Sequence, residues 1–391
     1  MKLLILLLSI FILTGCKDKV YEVENSIGFS ITEKVSVYDD VYLNDILKLD
    51  DNNIIVLSDN YKIDTGELGS KEYELLYKID NKNYLYKYSI TVTDNEAPIL
   101  FSGTNRTVVK GYDKDLCNLI TYGDNYTGDL KCVINGDYDL NKVGTYKLVY
   151  SISDSSNNTK DINVTLNVVE KMNNSSNYNV TRIPFEDIYK EYKDSNNEIG
   201  LDISEWQGNV DFNKIKESGV SFVILRIGQQ SKDGDPFMDG QYLNNIKKAK
   251  EAGLKVGVYL YTIAGTKKEA IDQANWVINK LDGEKLELGI AFDWENWQYW
   301  NYYKISFHEI NEIANTFIDT VNKNGYTGYL YSSKFYLETI WQNKNNYPVW
   351  LAHYIDKTDY KGEYKIWQLC NNAVIDGING FVDVDIMYVD K

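Results

Sequence analysis

Leu288-Gly289-Ile290-Ala291-Phe292-Asp293-Trp294-Glu295 is an apolar run that ends in two carboxylates. Side chains alternate along a strand, so residues two apart share a face, with Cα atoms roughly 6.5 Å apart. Asp293 and Glu295 therefore point one way and Trp294 the other. Where a buried strand meets solvent, such a pair suits acid/base cleavage of a sugar–oxygen bond. A solvated loop with two unrelated acids is the simpler reading of an isolated Asp-x-Glu. The rest of the chain decides between the two.

Outward from this stretch, residues 198–391 alternate strands and helices. Strands are expected at 199–203, 221–227, 255–261, 288–294, 327–331, 348–352, 364–368 and 381–386. Helices are expected at 211–218, 239–252, 267–281, 306–324 and 333–341. Thr266-Lys267-Lys268-Glu269 and Ser306-Phe307-His308-Glu309 are capping boxes, and Gly325 stops the fourth helix. Eight strands with helices after the first five predict a closed, parallel-type α/β TIM-like barrel, in which chemistry sits at the strand ends.

Three strand ends carry acids on one parity and aliphatics or aromatics on the other. Strand one has Asp202 between Leu201 and Ile203. Strand four has Asp293 and Glu295 around Trp294. Strand eight has Asp383 and Asp385 among Val382, Val384 and Ile386. Independent surface acids have little reason to keep that parity on three strands. Aromatics cluster at the same ends: Trp206, Tyr259, Tyr261, Tyr331, Trp350, Tyr354 and Trp367. Flat amphipathic rings around carboxylates suit a carbohydrate, whose C–H faces pack on them. Core packing is the alternative for any one ring.

These residues carry a resemblance. Gly200-Leu201-Asp202-Ile203-Ser204-Glu205-Trp206-Gln207-Gly208 looks like the opening motif of glycoside hydrolase family 25, the Chalaropsis-type lysozymes. Phe222-Val223-Ile224-Leu225-Arg226, Phe292-Asp293-Trp294-Glu295, Trp350-Leu351-Ala352-His353-Tyr354, Trp367-Gln368 and Val382-Asp383 follow in the family's order. The resemblance implies a (βα)5β3 barrel and cleavage of the β-1,4 bond between N-acetylmuramic acid and N-acetylglucosamine in peptidoglycan, without cofactor or metal. It implies Glu295 as general acid, Asp293 as its assistant, and Asp202 and Asp383 as the supporting network. Carboxylate spacing does not choose between retention and inversion. Asp385, expected to face the mouth among the substrate contacts, stands where the family commonly has Asn, and Trp294 where it often has a smaller residue. A glycan-binding or adhesion lipoprotein without turnover, and a hard-cation site built from the carboxylates, are the competing readings.

All eight Trp and both His lie after residue 200, which marks a boundary between kinds of domain. Residues 21–170 show strand alternation broken by Asn/Asp/Gly turns. They also carry an internal repeat, Gly69 to Asp80 matching Gly144 to Asp154. They resemble bacterial Ig-like repeats, which predicts two all-β sandwiches, 21–95 and 96–170, acting as spacers. Residues 171–197, polar and rich in Asn, Ser, Lys and Glu, are expected to be a linker, with a helical turn around Glu186–Tyr192. A flexible linker would let the barrel work on the order of 100 Å above its anchor.

That anchor is expected at the N-terminus. Lys2 precedes a largely apolar stretch from Leu3 to Leu13, too short to span a bilayer, and Leu13-Thr14-Gly15-Cys16 resembles a lipobox. Residues 1–15 are thus expected to be a signal peptide, with 16–20 the lipidated N-terminus of an extracytoplasmic, membrane-anchored protein. Cys117 and Cys132 are a candidate disulfide, with two buried thiols as the alternative. A net charge of −16 argues against nucleic acid as a partner. Peptidoglycan glycan strands are the expected partner, and the sequence names no protein partner.

Overall fold

The computed structural model describes residues 19–172, 181–231, 234–342 and 347–389. The expected signal peptide and the expected lipidation site at Cys16 lie outside them. The chain forms two compact units, 1–96 and 97–391.

The expected fold class, two sandwiches followed by a TIM-like barrel, is not what forms. In the first unit the long strands Gly69–Ile79 and Lys82–Thr93 make a hairpin at the centre of one five-stranded sheet. Its turn, Asp80-Asn81, has both φ angles positive, the geometry that matches hairpin twist. The face bearing Leu75, Tyr77, Tyr88 and Ile90 is covered by short segments that supply Phe29, Leu43, Ile46 and Ile63, with a two-stranded ladder as the only other sheet there among the described residues.

Residues 97–170 repeat this plan. The hairpin Gly144–Ser153 with Thr159–Val169 is the internal repeat, flanked by Lys131–Asn135 and the parallel strand Asn105–Val109. An irregular stretch carrying Leu116, Ile120 and Tyr122 covers it. A disulfide from Cys117 to Cys132 joins that cover to the sheet. Alternation had shown that each hairpin has a buried face. What buries it is loop and turn, not a second full sheet.

The barrel strands are β1 Asn197–Ile203, β2 Phe222–Gln230, β3 Lys255–Thr262, β4 Gly289–Trp294, β5 Gly328–Ser333, β6 Val349–Ala352, β7 Ile366–Val374 and β8 Val382–Tyr388. Pairing runs β1 to β7 in parallel order. β8 then closes the ring antiparallel to both β7 and β1. This reversal is the second departure from the expected parallel-type barrel. Because β8 runs backwards, its beginning, not its end, lies at the mouth, with Asp383 opposite Asp202.

Helix α1 Phe185–Tyr192 precedes the barrel, and α2 Phe212–Glu217, α3 Tyr242–Glu251, α4 Lys267–Leu281, α5 Phe307–Lys323 and α6 Lys334–Thr339 follow β1 to β5. Ser306 and Glu309 close a reciprocal capping box on α5, and Thr266 caps α4. The stretch read as linker contributes to the barrel where it is described. Ile183-Pro184 pairs with β7, and Phe185 and Ile188 of α1 are buried in its outer core.

Two apolar layers follow from the period-2 alternation. Leu201, Ile203, Phe292, Trp294, Val382, Val384 and Ile386 lie in the outer core with the helices. Phe222, Ile224, Ala291, Tyr329, Tyr331 and Trp350 fill the interior. Free Cys370 is buried, and burial pushes its thiol up to about 11. Among the described residues no helix is long and apolar enough to cross a membrane.

Candidate active site

With the outer parity spent on aliphatics and Trp294, the other parity of β1, β4 and β8 brings Asp202, Asp293, Asp383 and Asp385 into one group, with Glu295 just past the end of β4. Asp202 is 6% exposed, Asp293 3% and Asp385 0%. Glu295 is open to solvent at the mouth.

The β1/β8 side is tied down. Gln368 of β7 donates Nε2 to Asp202 Oδ2 at 2.6 Å, while its Oε1 accepts from Tyr331 Oη at 3.0 Å and Tyr354 Oη at 2.9 Å. Trp350 Nε1 donates to Asp385 Oδ1 at 2.7 Å. Burial holds Asp202 well above the usual carboxylate range, reinforced by the charges of Asp383 and Asp385. Asp383 is pushed up to about 6 by burial, and a hydrogen bond from Asp202 opposes that rise. Crowding of like charges disfavours ionisation of both carboxyls at once. Asp385 is also pushed up, by burial first.

The β4 side is different. Burial raises Asp293, the Glu295 charge adds to that, and Arg226 opposes it. Among the described residues nothing hydrogen-bonds to Asp293 Oδ1. Glu295 is pushed up to about 7, by desolvation first and then by the Asp383 charge. Its carboxyl is reachable from solvent, yet protein crowds it closely enough to disfavour the ionised form. A cleft of about 440 Å³ opens beside it, lined by Tyr331, Lys334, Phe335, Glu338, His353 and Tyr354. A larger cavity of about 630 Å³ lies around Thr327, Tyr329 and Tyr364, remote from the carboxylates.

The expected aromatic contacts divide. Tyr354 and Trp206 are 53% and 79% exposed, Trp206 on the turn after β1. Tyr259 and Tyr261 are half-buried on the inner wall of β3. Tyr331 and Trp350 are buried beneath the mouth as hydrogen-bond donors to Gln368 and Asp385, and Asp385 offers no surface to a ligand. Trp367 is a correction. It points outward into the core, 3% exposed, with its Nε1 on the His353 carbonyl. Its neighbour Gln368 takes the inward place.

Gln368 and Arg226 are the functional side chains that sequence reasoning left without a role. Buried Arg226 bonds Asp239 at 2.7 Å and Glu205 at 2.9 Å, which ties the turn carrying Trp206 to the loop after β2. Parity would have found both: inward polar residues on strands whose other face is apolar.

The chain is 29% identical to the autolytic lysozyme of Clostridium acetobutylicum over 188 residues, 48% of this chain and 54% of that protein. It therefore spans about half the length of that relative. It is 27% identical over 194 residues to the uncharacterized protein YegX of Escherichia coli K12, 48% of this chain and 68% of that one. Among solved structures, the modular autolysin LytC of Streptococcus pneumoniae, in complex with a synthetic peptidoglycan ligand, aligns with a TM-score of 0.44 and 26% identity, over 61% of this chain and 56% of that one. Residues 201–378, which make up most of the barrel, match the family model for glycosyl hydrolases family 25.

Proposed function

We propose that this protein is a peptidoglycan hydrolase of the lysozyme type, a 1,4-β-N-acetylmuramidase. The observation that carries the reading is the asymmetric pair on β4: a Glu raised to about 7 beside a buried Asp with an unpartnered oxygen. Glu295 is neutral over part of the physiological range, so it can deliver a proton to the glycosidic oxygen as the bond breaks. Arg226 favours the charged form of Asp293. The unpartnered Oδ1 calls for a donor, and an acetamido N–H of the sugar supplies one. Asp293 thus orients that group or steadies positive charge at the anomeric carbon. Asp202, Asp383 and Gln368 hold the floor, and the charge of Asp383 helps keep the proton on Glu295.

The tether belongs to the same proposal. A lipid at Cys16 would hold the enzyme on the outer face of the cell membrane and confine cleavage to nearby wall, which favours local remodelling over free bacteriolysis. Release of new reducing ends from purified peptidoglycan by the wild type, and none by Glu295→Gln, supports the hydrolase. Glycan binding without release by the wild type overturns it in favour of a silent binding protein. Chelator-sensitive release would point to a metal instead. The tether is tested by Cys16→Ala: shed protein with an unchanged wall phenotype would sink it.

A further inference from the structure

Residues 97–170 are docked on the barrel at the segment that follows the acid pair. Phe101, 6% exposed, lies edge-on to Trp300 at 5.7 Å, Phe307 at 5.9 Å, Tyr336 at 6.3 Å and Trp297 at 6.4 Å. The same rings continue to Trp294, 4.7 Å from Trp297 and 5.6 Å from Trp300. Trp294 stands between Asp293 and Glu295, and the Trp297 N–H holds the Glu295 carbonyl at 2.7 Å. One aromatic cluster thus runs from Phe101 to the backbone of the acid pair.

Polar contacts close the same joint. The first N–H groups of a helix have no partner within it. At α5 the Phe307 and His308 N–H groups donate to the carbonyls of Asp124 at 2.8 Å and Asn125 at 3.2 Å. The Asn301 side chain accepts from the Tyr122 N–H at 3.3 Å and donates to the Ile120 carbonyl at 2.9 Å, as a neighbouring strand would. The approach is close enough to need glycine. A Cβ on Gly123 would stand 2.6 Å from the Phe307 ring, and one on Gly128 would stand 2.0 Å from the Lys304 carbonyl carbon.

We propose that residues 97–170 are a positioning part of the hydrolase, with Phe101 and Asn301 fixing the 296–306 segment and, through it, the orientation of Glu295. A spacer needs no buried wedge, no helix cap supplied from outside and no glycine-only contact. The proposal rests on the reading of Glu295 as the acid.

The test uses the full chain carrying Phe101→Ala with Gly123→Val, and separately the milder Asn301→Ala in case the double variant does not fold. Three quantities are read: exchange of the Phe307 and His308 amides, kcat and KM on purified peptidoglycan, and the upper limb of the pH profile. Amide protection is expected to fall and kcat to drop about tenfold, with KM within about twofold, since a small misplacement of a catalytic group costs that much or more. The upper limb should move to lower pH as water reaches Glu295, and Phe101→Leu should restore most of the rate. Exposed amides with wild-type kcat and pH limb overturn the proposal. Amides that stay protected in the double variant overturn it too, because the docking then does not depend on these residues. If the wild type releases no reducing ends, the hydrolase reading falls and takes this one with it, while the amides still report the docking.

Discussion

The two sides of the barrel mouth hold the same chemical group in opposite conditions. On β1 and β8, Asp202 and Asp385 are sealed, Gln368 meets Asp202, and Trp350 meets one oxygen of Asp385 while the other has no partner among the described residues. On β4, Glu295 is open to solvent and Asp293 keeps an oxygen without a partner. Clustered acids and a spare carboxylate oxygen therefore do not by themselves mark an active site, since buried Asp385 has both; access to solvent beside the cleft does, and Glu295 has it.

Glu295→Gln attacks the reactive side most directly. Turnover should fall by about 10³-fold with the melting temperature no lower than that of the wild type, since general acid catalysis contributes that order; reducing-end release measures it. Asp293→Asn should cost less, about 10²-fold, and mostly in kcat, because it weakens charge stabilisation without removing the proton donor. The pH profile gives a third check. Glu295 acts when protonated, so activity should fall as pH rises through about 7. A limb near 4, the ordinary Glu value, would show that the crowding around Glu295 is not what holds its proton.

The scaffold side should answer in stability. Gln368→Leu leaves Asp202 without its donor and two tyrosine hydroxyls without their acceptor. A loss of about 1–3 kcal/mol in denaturant melts is expected. Asp385→Asn keeps the acceptor for Trp350 and removes a buried charge. It should be the mildest change, raising the melting temperature above pH 7 with little effect on rate. The sign follows from linkage. These carboxyls bind protons more tightly when folded than the unfolded value of about 4. Their contribution is full below that value and fades as pH rises through about 6 for Asp383 and about 7 for Glu295. The wild type should therefore melt lower at pH 8 than at pH 5, and Asp385→Asn should flatten that slope.

The acids were legible because period 2 is a local property: one look at Leu201-Asp202-Ile203 or Val382-Asp383-Val384 separates the faces. The same rule, applied to Ile366-Trp367-Gln368, would have sent Trp367 outward and Gln368 inward. An indole at a strand end drew attention that parity should have overridden. The direction of β8 was not legible, since alternation is identical for parallel and antiparallel pairing. Nor was the cover over each hairpin, because alternation reports that a face is buried and not what buries it. The joint at Phe101 was beyond reach for a further reason. Asn301 meets Ile120 across 181 positions, and no short-range pattern encodes such a pairing.

The reversal of β8 has a consequence for handling the molecule. Asn197 lies opposite Tyr388, and the Val389 N–H reaches the Asn196 carbonyl at 2.9 Å. The chain thus enters and leaves the barrel at neighbouring points, on the side remote from the carboxylates. A short bridge there and a new break in an exposed loop would give a circular permutant with the ring of strands intact. A reporter fused after Val389 would hang from the base and leave the carboxylate-lined opening clear.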